Sequence, residues 1–120
     1  MAGETIEFTA ADLDGMVEAY DPATHHAPLV VGHPKTDDPA YGWVSALAVQ
    51  GDRLIANPDQ VDPAFAELVK AGRFKTVSAN FYLPTSAANP KPGSYYLKHV
   101  GFLGAQAPSV KGLKPVAFAD

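Results

Sequence analysis

One serine and two histidines are spaced along this sequence in a way that would permit nucleophilic catalysis. Ser78 lies in a segment where apolar and polar residues alternate, which predicts a β-strand whose successive side chains point to opposite faces. If Val77 and Phe81 face the core, Ser78 faces a cleft or solvent. A serine hydroxyl becomes nucleophilic when a base takes its proton, and histidine, with a pKa of about 6.5, is the usual base. The alternative is an ordinary outward-facing serine with no catalytic role.

The two histidines that would serve this serine lie at defined places in the predicted elements. His33 follows a short apolar run at 28–31 and precedes Pro34, which restricts the backbone of His33 to extended conformations. His99 interrupts an apolar strand candidate, and the nearby Gly101 leaves room for another part of the chain to approach. Taken alone, each histidine is more typical of a hydrogen-bonded structural residue.

The composition predicts a single globular domain whose partner is a protein or peptide. The chain has 120 residues, 47% of them hydrophobic and 18% charged, which suits one hydrophobic core. The absence of cysteine excludes disulfides and thiolate chemistry, and a net charge of -4 without a basic cluster argues against a nucleic-acid surface. No apolar run approaches the roughly 20 residues that span a bilayer, and no signal peptide is recognisable, so no membrane role is expected.

Capping signals and hydrophobic periodicity predict the elements that would position these residues. Thr9 and Asp12 form a capping-box pattern ahead of an apolar stripe, and Asp62 caps a second helix that ends at Gly72. The predicted buried residues of the second helix are Phe65, Leu68 and Val69. The strand candidates are 4–8, 28–31, 42–49, 53–56, 74–83 and 95–103, with a weaker edge strand at 116–118.

The order of these elements predicts the α+β class. The strands at 42–49 and 53–56 flank a tight polar turn and predict a hairpin, and the proline-rich stretch 85–94 predicts a mobile surface loop. Strands interrupted by only two helices favour a small, mostly antiparallel β-barrel of about six strands over a doubly wound sheet.

Four segments carry a resemblance to a known group of proteins. They are VGHP at 31–34, PAYGWV at 39–44, AGRFKTVSANFY at 71–82 and YLKHVGFLG at 96–104. Their order resembles that of the capsid-assembly proteases, which include the herpesvirus assemblins with their Ser-His-His triad and the prohead proteases of tailed phages. More narrowly, they resemble the head-maturation peptidase of Mu-like phages and prophages. The resemblance extends over about residues 29–112.

This resemblance implies a role for each of the three side chains. Ser78 would be the nucleophile, His33 the base that accepts its proton, and His99 the third member that orients His33. Asp37 and Asp38 are the rival candidates for the orienting role, since many serine hydrolases use an acid there. The oxyanion hole would come from backbone N–H groups of 101–105 and the following coil to residue 111. The fold would be herpesvirus-protease-like, and no metal or cofactor would be needed.

The function implied by the resemblance is a serine endopeptidase of phage head maturation. It would cleave scaffold and major capsid precursor proteins through an acyl-enzyme, inside the assembling prohead in the host bacterial cytoplasm. Residues 1–120 would form a single protease domain without the C-terminal scaffold segment of the family. The resemblance leaves the oligomeric state open, and a homodimer that switches activity on is one alternative.

Three other functions are considered from the sequence. The first is a non-catalytic assembly module that keeps the fold to bind capsid protein, with Ser78 as a relic. The second is an unrelated serine esterase, which is weakened because Thr76 and Asn80 stand where a G-x-S-x-G elbow needs glycines. The third is a zinc site at His25, His26 and His33, which is disfavoured because adjacent histidines in an extended chain point in different directions.

Overall fold

Two helices and five strands form the fold in the computed structural model, which describes residues 8–32 and 39–104. The helices are α1 (Ala10–Ala19) and α2 (Pro63–Lys70). The strands are β1 (Pro28–Val31), β2 (Gly42–Gln50), β3 (Arg53–Asp59), β4 (Thr76–Tyr82) and β5 (Tyr96–Leu103). The α+β class and the two predicted helices are confirmed.

A single mixed sheet runs through the described residues in the order β3-β2-β1-β5-β4. Only β1 and β5 pair in parallel, while the other three pairs are antiparallel. The sheet curls into a half-barrel. The predicted closure into a barrel is wrong for the described residues, because β3 and β4 remain separate edges. Pro58 in β3 suits an edge, since proline has no N–H to donate to a further strand.

The predicted hairpin is confirmed, whereas two further strand candidates fall outside the ranges above. Gln50 pairs with Arg53 across a turn in which Gly51 has a φ of 64°, a conformation that glycine adopts without steric cost. The candidate strands at 4–7 and 116–118 lie outside the described residues, and Phe8 is not in a strand.

Helix α1 begins as its capping signal predicts. The N–H of Asp12 donates to the Thr9 hydroxyl oxygen at 3.0 Å, and the N–H of Thr9 donates to the Asp12 carboxylate at 3.0 Å. Leu13 and Met16 are buried on the inner face of the helix. In the described ranges, neither helix has the length and apolar character required to cross a membrane.

Helix α2 has both predicted ends but only part of its predicted buried face. The Asp62 carboxylate accepts the N–H of Phe65 at 3.4 Å. At the other end Gly72 adopts a φ of 79°, and the N–H of Arg73 donates to the carbonyl of Leu68, as in a Schellman motif. Leu68 was expected to be buried and is 45% exposed. The buried residues of this short helix are Phe65 and Val69, which are four positions apart, so Leu68 lies beside their contact.

The core lies between α2 and the inner face of the half-barrel. Phe65 is at its centre, stacked on Tyr41 at 5.2 Å between ring centroids and edge-to-face with Phe102 at 4.9 Å. The buried cluster consists of Ala27, Leu29, Val44, Leu47, Phe65, Val69, Leu97, Val100 and Phe102. Val77 and Phe81 of β4 pack against this cluster, as their alternation with Ser78 predicts.

The loop between β4 and β5 was predicted to be mobile, but a buried amide organises it. Asn89 is 5% exposed, and its Nδ2 donates to the carbonyl oxygens of Leu83 at 3.0 Å and Ser94 at 2.8 Å. Its Oδ1 accepts the N–H of Lys91 at 2.7 Å. The loop has no regular structure, as its prolines predict, yet these hydrogen bonds hold its two ends together.

A buried phenol joins the segment after α1 to the start of β5. The Tyr96 hydroxyl accepts the N–H of Asp21 at 3.0 Å and is shared as a donor between the carbonyl oxygens of Asp21, at 2.7 Å, and His25, at 2.9 Å. Tyr96 is completely buried. Burial raises the pKa of the Tyr96 phenol above its usual value, which keeps the hydroxyl protonated and able to donate.

Replacing Tyr96 with phenylalanine should destabilise the protein. Tyr96→Phe leaves a part-buried N–H and two carbonyl groups without this partner, so we expect a loss of about 1–3 kcal/mol in the free energy of unfolding, measured by urea denaturation. Tyr82→Phe, at the half-exposed position paired with Tyr96, is the control and should change stability by no more than about 0.5 kcal/mol. Equal effects of the two substitutions would contradict this role of the hydroxyl.

Candidate functional site

Ser78 lies in the middle of β4, which is at the edge of the sheet formed by the described strands, and is half-buried. It pairs with Gly101 of β5, while Val77 on the opposite face pairs with the buried Phe102. Ser78 therefore faces away from the core cluster, as its strand pattern predicts. Because its partner has no side chain, the position beside Ser78 on this face is open to another part of the chain.

His99 lies on the same face of the sheet as Ser78. It pairs with Asn80, two residues after Ser78, and directly opposed residues in an antiparallel pair project to the same side. His99 and Ser78 are thus diagonal neighbours, for which about 7–8 Å between Cα atoms is typical. His99 is 7% exposed. At a diagonal spacing of this size, aromatic and long side chains remain within reach of each other.

The backbone of Gly32 crosses this face next to Ser78. Its N–H donates to the carbonyl of Phe102 at 2.9 Å, and Gly32 has a φ of 67°, which ends the regular course of β1. A Cβ atom built on Gly101 would collide with the Gly32 carbonyl oxygen and would lie 3.5 Å from the carbonyl oxygen of Ser78. Glycine at position 101 is therefore what permits the end of β1 to approach the serine strand.

Three of the residues proposed from the sequence lie outside the described residues. These are His33, which follows Gly32 directly, and the rival orienting acids Asp37 and Asp38. Within the described ranges, the structure brings Ser78 and His99 onto one face and brings the chain that leads to residue 33 beside them.

The predicted oxyanion donors are only partly within the described ranges. Gly101 and Phe102 lie in β5 between β1 and β4, so their N–H groups point towards neighbouring strands and are poorly placed to bind an oxyanion. Residues 105–111 lie outside the described residues.

Two of the three histidines considered for a zinc site, His25 and His26, lie in the described ranges and have separate environments. The His25 ring lies against Tyr82 and Tyr96, and its Nε2 is 2.9 Å from the carbonyl oxygen of Lys98. The His26 ring is tilted over Trp43 at 4.8 Å between centroids. Within the ranges 8–32 and 39–104, no group of three or more His, Asp or Glu side chains is arranged to hold a metal ion.

Two features near Ser78 were missed in the sequence. The register of β4 and β5 shifts between Asn80 and Phe81, which leaves Lys98 as an additional residue in β5. His25, which the sequence suggested only as a metal ligand, is hydrogen-bonded to the backbone carbonyl of this same Lys98. Two consecutive polar residues at 98 and 99 in an otherwise apolar strand are the sequence signal that could have indicated the bulge.

Comparisons of the chain with models of protein families, with curated proteins and with solved structures found no match. The function of the site is therefore inferred from its geometry and from the chemistry of its residues. The geometry consists of a half-buried serine on an edge strand, a buried histidine diagonal to it and a glycine contact at which the chain leads to a second histidine.

A side chain at position 101 should disturb this arrangement. We expect Gly101→Ala to lower the free energy of unfolding by about 1–3 kcal/mol, because the new Cβ displaces the Gly32 carbonyl, and urea denaturation would measure the loss. Gly104→Ala is the matched control, since a Cβ there would lie at an ordinary 3.6 Å from the Phe74 ring and 3.4 Å from the Arg73 carbonyl oxygen. A stability change at position 101 no larger than that at 104 would argue against a tight contact.

Proposed function

We propose that this protein is a serine endopeptidase of the prohead-maturation type, with Ser78 as nucleophile, His33 as general base and His99 as the residue that orients the base. Ser78 attacks the carbonyl carbon of the scissile peptide bond while His33 takes the hydroxyl proton. His33 then gives that proton to the leaving amine, which leaves an acyl-enzyme that water hydrolyses. No step requires a metal or cofactor.

The common face of Ser78 and His99 is the observation that carries this proposal. In a triad, the nucleophile and the third residue do not touch, because the nucleophile is hydrogen-bonded to one ring nitrogen of the base and the third residue to the other. The register places Ser78 and His99 on one face without setting them directly opposite each other.

The approach of β1 supports His33 as the base. Gly32 is in contact with Gly101, the residue paired with Ser78, and residue 33 is the next in the chain. In the proposed triad, the imidazole of His33 fills the gap between Ser78 and His99. Asp37 and Asp38 follow within the same stretch of chain and remain the rivals of His99 for the orienting role.

The edge position of β4 supports a peptide substrate. Among the described strands β4 has a neighbour on one side only, and we propose that an extended peptide pairs with the backbone groups on its outer side. Such a peptide would add to the sheet as a further strand and bring its carbonyl group close to Ser78. A compact small-molecule ester would make no use of this open edge.

A histidine as third member has a consequence for the rate. A neutral imidazole stabilises the developing imidazolium of His33 less than a carboxylate would, so we expect slow turnover. Slow turnover is sufficient for an enzyme that processes each particle once.

The proposed setting is the assembling prohead in the host bacterial cytoplasm, and the proposed substrates are the scaffold and major capsid precursor proteins. A homodimer that gates activity is part of the same proposal. Neither nucleic acid nor a membrane has a part in it.

A fluorophosphonate probe tests the nucleophile directly, because it phosphonylates only an activated serine, with fluoride as the leaving group. We expect the probe to label the full chain at Ser78 and to leave Ser78→Ala unlabelled. His33→Ala should slow labelling by about 10²- to 10⁴-fold, since general-base assistance is worth that much. His99→Ala should slow it less, and Asp38→Ala should have little effect. Thr76→Ala, which removes another hydroxyl from β4, is the matched control and should be labelled like the wild type.

Co-expression with scaffold and capsid precursors tests the substrate class. The wild-type chain should cleave them, and Ser78→Ala should not. Absence of labelling and of cleavage in the wild type would contradict the peptidase and favour the non-catalytic assembly module. Labelling lost in Asp38→Ala but retained in His99→Ala would reassign the third member of the triad.

A further inference from the structure

The ring of His25 is fixed against the sheet beside the proposed site. It lies edge-on to Tyr82 at 5.6 Å and to Tyr96 at 5.8 Å between centroids, and its backbone carbonyl accepts a hydrogen bond from the Tyr96 hydroxyl at 2.9 Å. Its Nε2 is 2.9 Å from the carbonyl oxygen of Lys98. Because a carbonyl oxygen can only accept a hydrogen bond, Nε2 carries the hydrogen and donates this bond to the Lys98 carbonyl oxygen.

Lys98 is the additional residue of a β-bulge. Leu97 pairs with Phe81 and His99 pairs with Asn80, so Lys98 has no partner of its own in β4. The additional residue of a bulge lacks the regular hydrogen bonds of the ladder. The hydrogen bond from His25 gives the carbonyl group of Lys98 a partner.

The bulge decides which face of the sheet His99 occupies. If the pairing of Leu97 with Phe81 continued without it, Lys98 would oppose Asn80 and His99 would oppose Ala79. A shift by one residue turns a strand side chain to the opposite face, so without the bulge His99 would point towards the core. With the bulge, His99 shares the face of Ser78.

From this chain of contacts we infer that His25 is a positioning residue for the proposed site, acting through the Lys98 carbonyl and the bulge to hold His99 on the face of Ser78. The chemical part of this inference rests on the proposed peptidase function. The structural part, that His25 sets the position of His99, stands on the hydrogen bond and the strand register.

Other groups near His25 must be kept constant in a test. The Lys98 ammonium group lies over the Tyr82 ring at 5.3 Å from its centroid, and the Tyr96 hydroxyl is buried beneath. The Asp21 carboxylate of the preceding turn accepts the N–H of Ala23 at 3.0 Å and the hydroxyl of Thr24 at 3.1 Å. Substitutions confined to position 25 leave all these groups in place.

Three substitutions separate the hydrogen bond from simple packing. His25→Phe keeps an aromatic ring between Tyr82 and Tyr96 but cannot donate to Lys98. His25→Gln keeps an N–H donor of similar reach and loses the aromatic ring. His25→Leu lacks both and replaces the phenylalanine variant if that variant does not fold, as judged by circular dichroism.

The experiment measures fluorophosphonate labelling of the full chain between pH 5 and pH 9 and, on the same proteins, the ¹⁵N resonances of the His99 ring. We expect His25→Phe to label at least about tenfold more slowly, with a displaced midpoint in its pH profile, since small misplacements of catalytic groups have effects of this size or larger. His25→Gln should label within about threefold of the wild type. The His99 resonances should move in His25→Phe and stay close to wild-type positions in His25→Gln.

The two readouts distinguish failure of this inference from failure of the peptidase proposal. The positioning role would be overturned if His25→Phe showed the same labelling rate, pH profile and His99 resonances as the wild type. A slow His25→Gln that behaves like His25→Phe would do the same, because it would show that an N–H donor at position 25 does not restore the site. If the wild-type chain is not labelled, the peptidase proposal fails, and the His99 resonances of the variants alone decide whether His25 positions that ring.

Discussion

The contact between the Gly32 carbonyl and Gly101 is the constraint on which the rest of the site depends. No side chain at position 101 would fit under that carbonyl, so the end of β1 can reach the β5-β4 pair only because a glycine is there. The contact also requires β1 to run parallel to β5, which places its C-terminal end at the level of Ser78 rather than at the far end of the strand. A parallel neighbour within an otherwise antiparallel sheet thus brings the chain before His33 to the serine.

The second requirement is that two side chains far apart in sequence share one face. Ser78 does so by simple alternation, because Val77 and Phe81 are committed to the core. His99 does so only through the bulge at Lys98, which reverses the alternation of β5 at that point. The apolar residues Val100 and Phe102 keep the following part of β5 anchored in the core, so the irregularity is confined to the residue before His99. The site is therefore built from one regular strand and one irregular strand.

The sequence was informative wherever the signal is local. Thr9 with Asp12 and Asp62 with Pro63 mark the starts of the two helices because capping requires those side chains within one turn. The hairpin from β2 to β3 is likewise a local event around Gly51. The orientation of Ser78 followed from alternation within a single strand.

The features that were missed depend on partners distant in the chain. Alternation in β1 and β5 does not indicate that they pair in parallel, because either direction buries the same side chains. Leu68 fits the apolar period of α2, but Phe65 and Val69 are the buried residues of the helix and Leu68 is exposed. The hydrogen bond from the His25 ring to the Lys98 carbonyl joins residues 73 positions apart, and only the folded chain brings them together. In each case the missing information was which surface lies opposite a residue.

A crystal structure of the full chain that shows the side chains of Ser78, His33 and His99 would test the central claim most directly. The account predicts that the His33 imidazole lies between the other two, with one ring nitrogen within about 2.6–3.2 Å of the Ser78 hydroxyl oxygen, or one water away, and the other directed at His99. A His33 ring directed away from this face, with Asp37 and Asp38 also distant from it, would contradict the account.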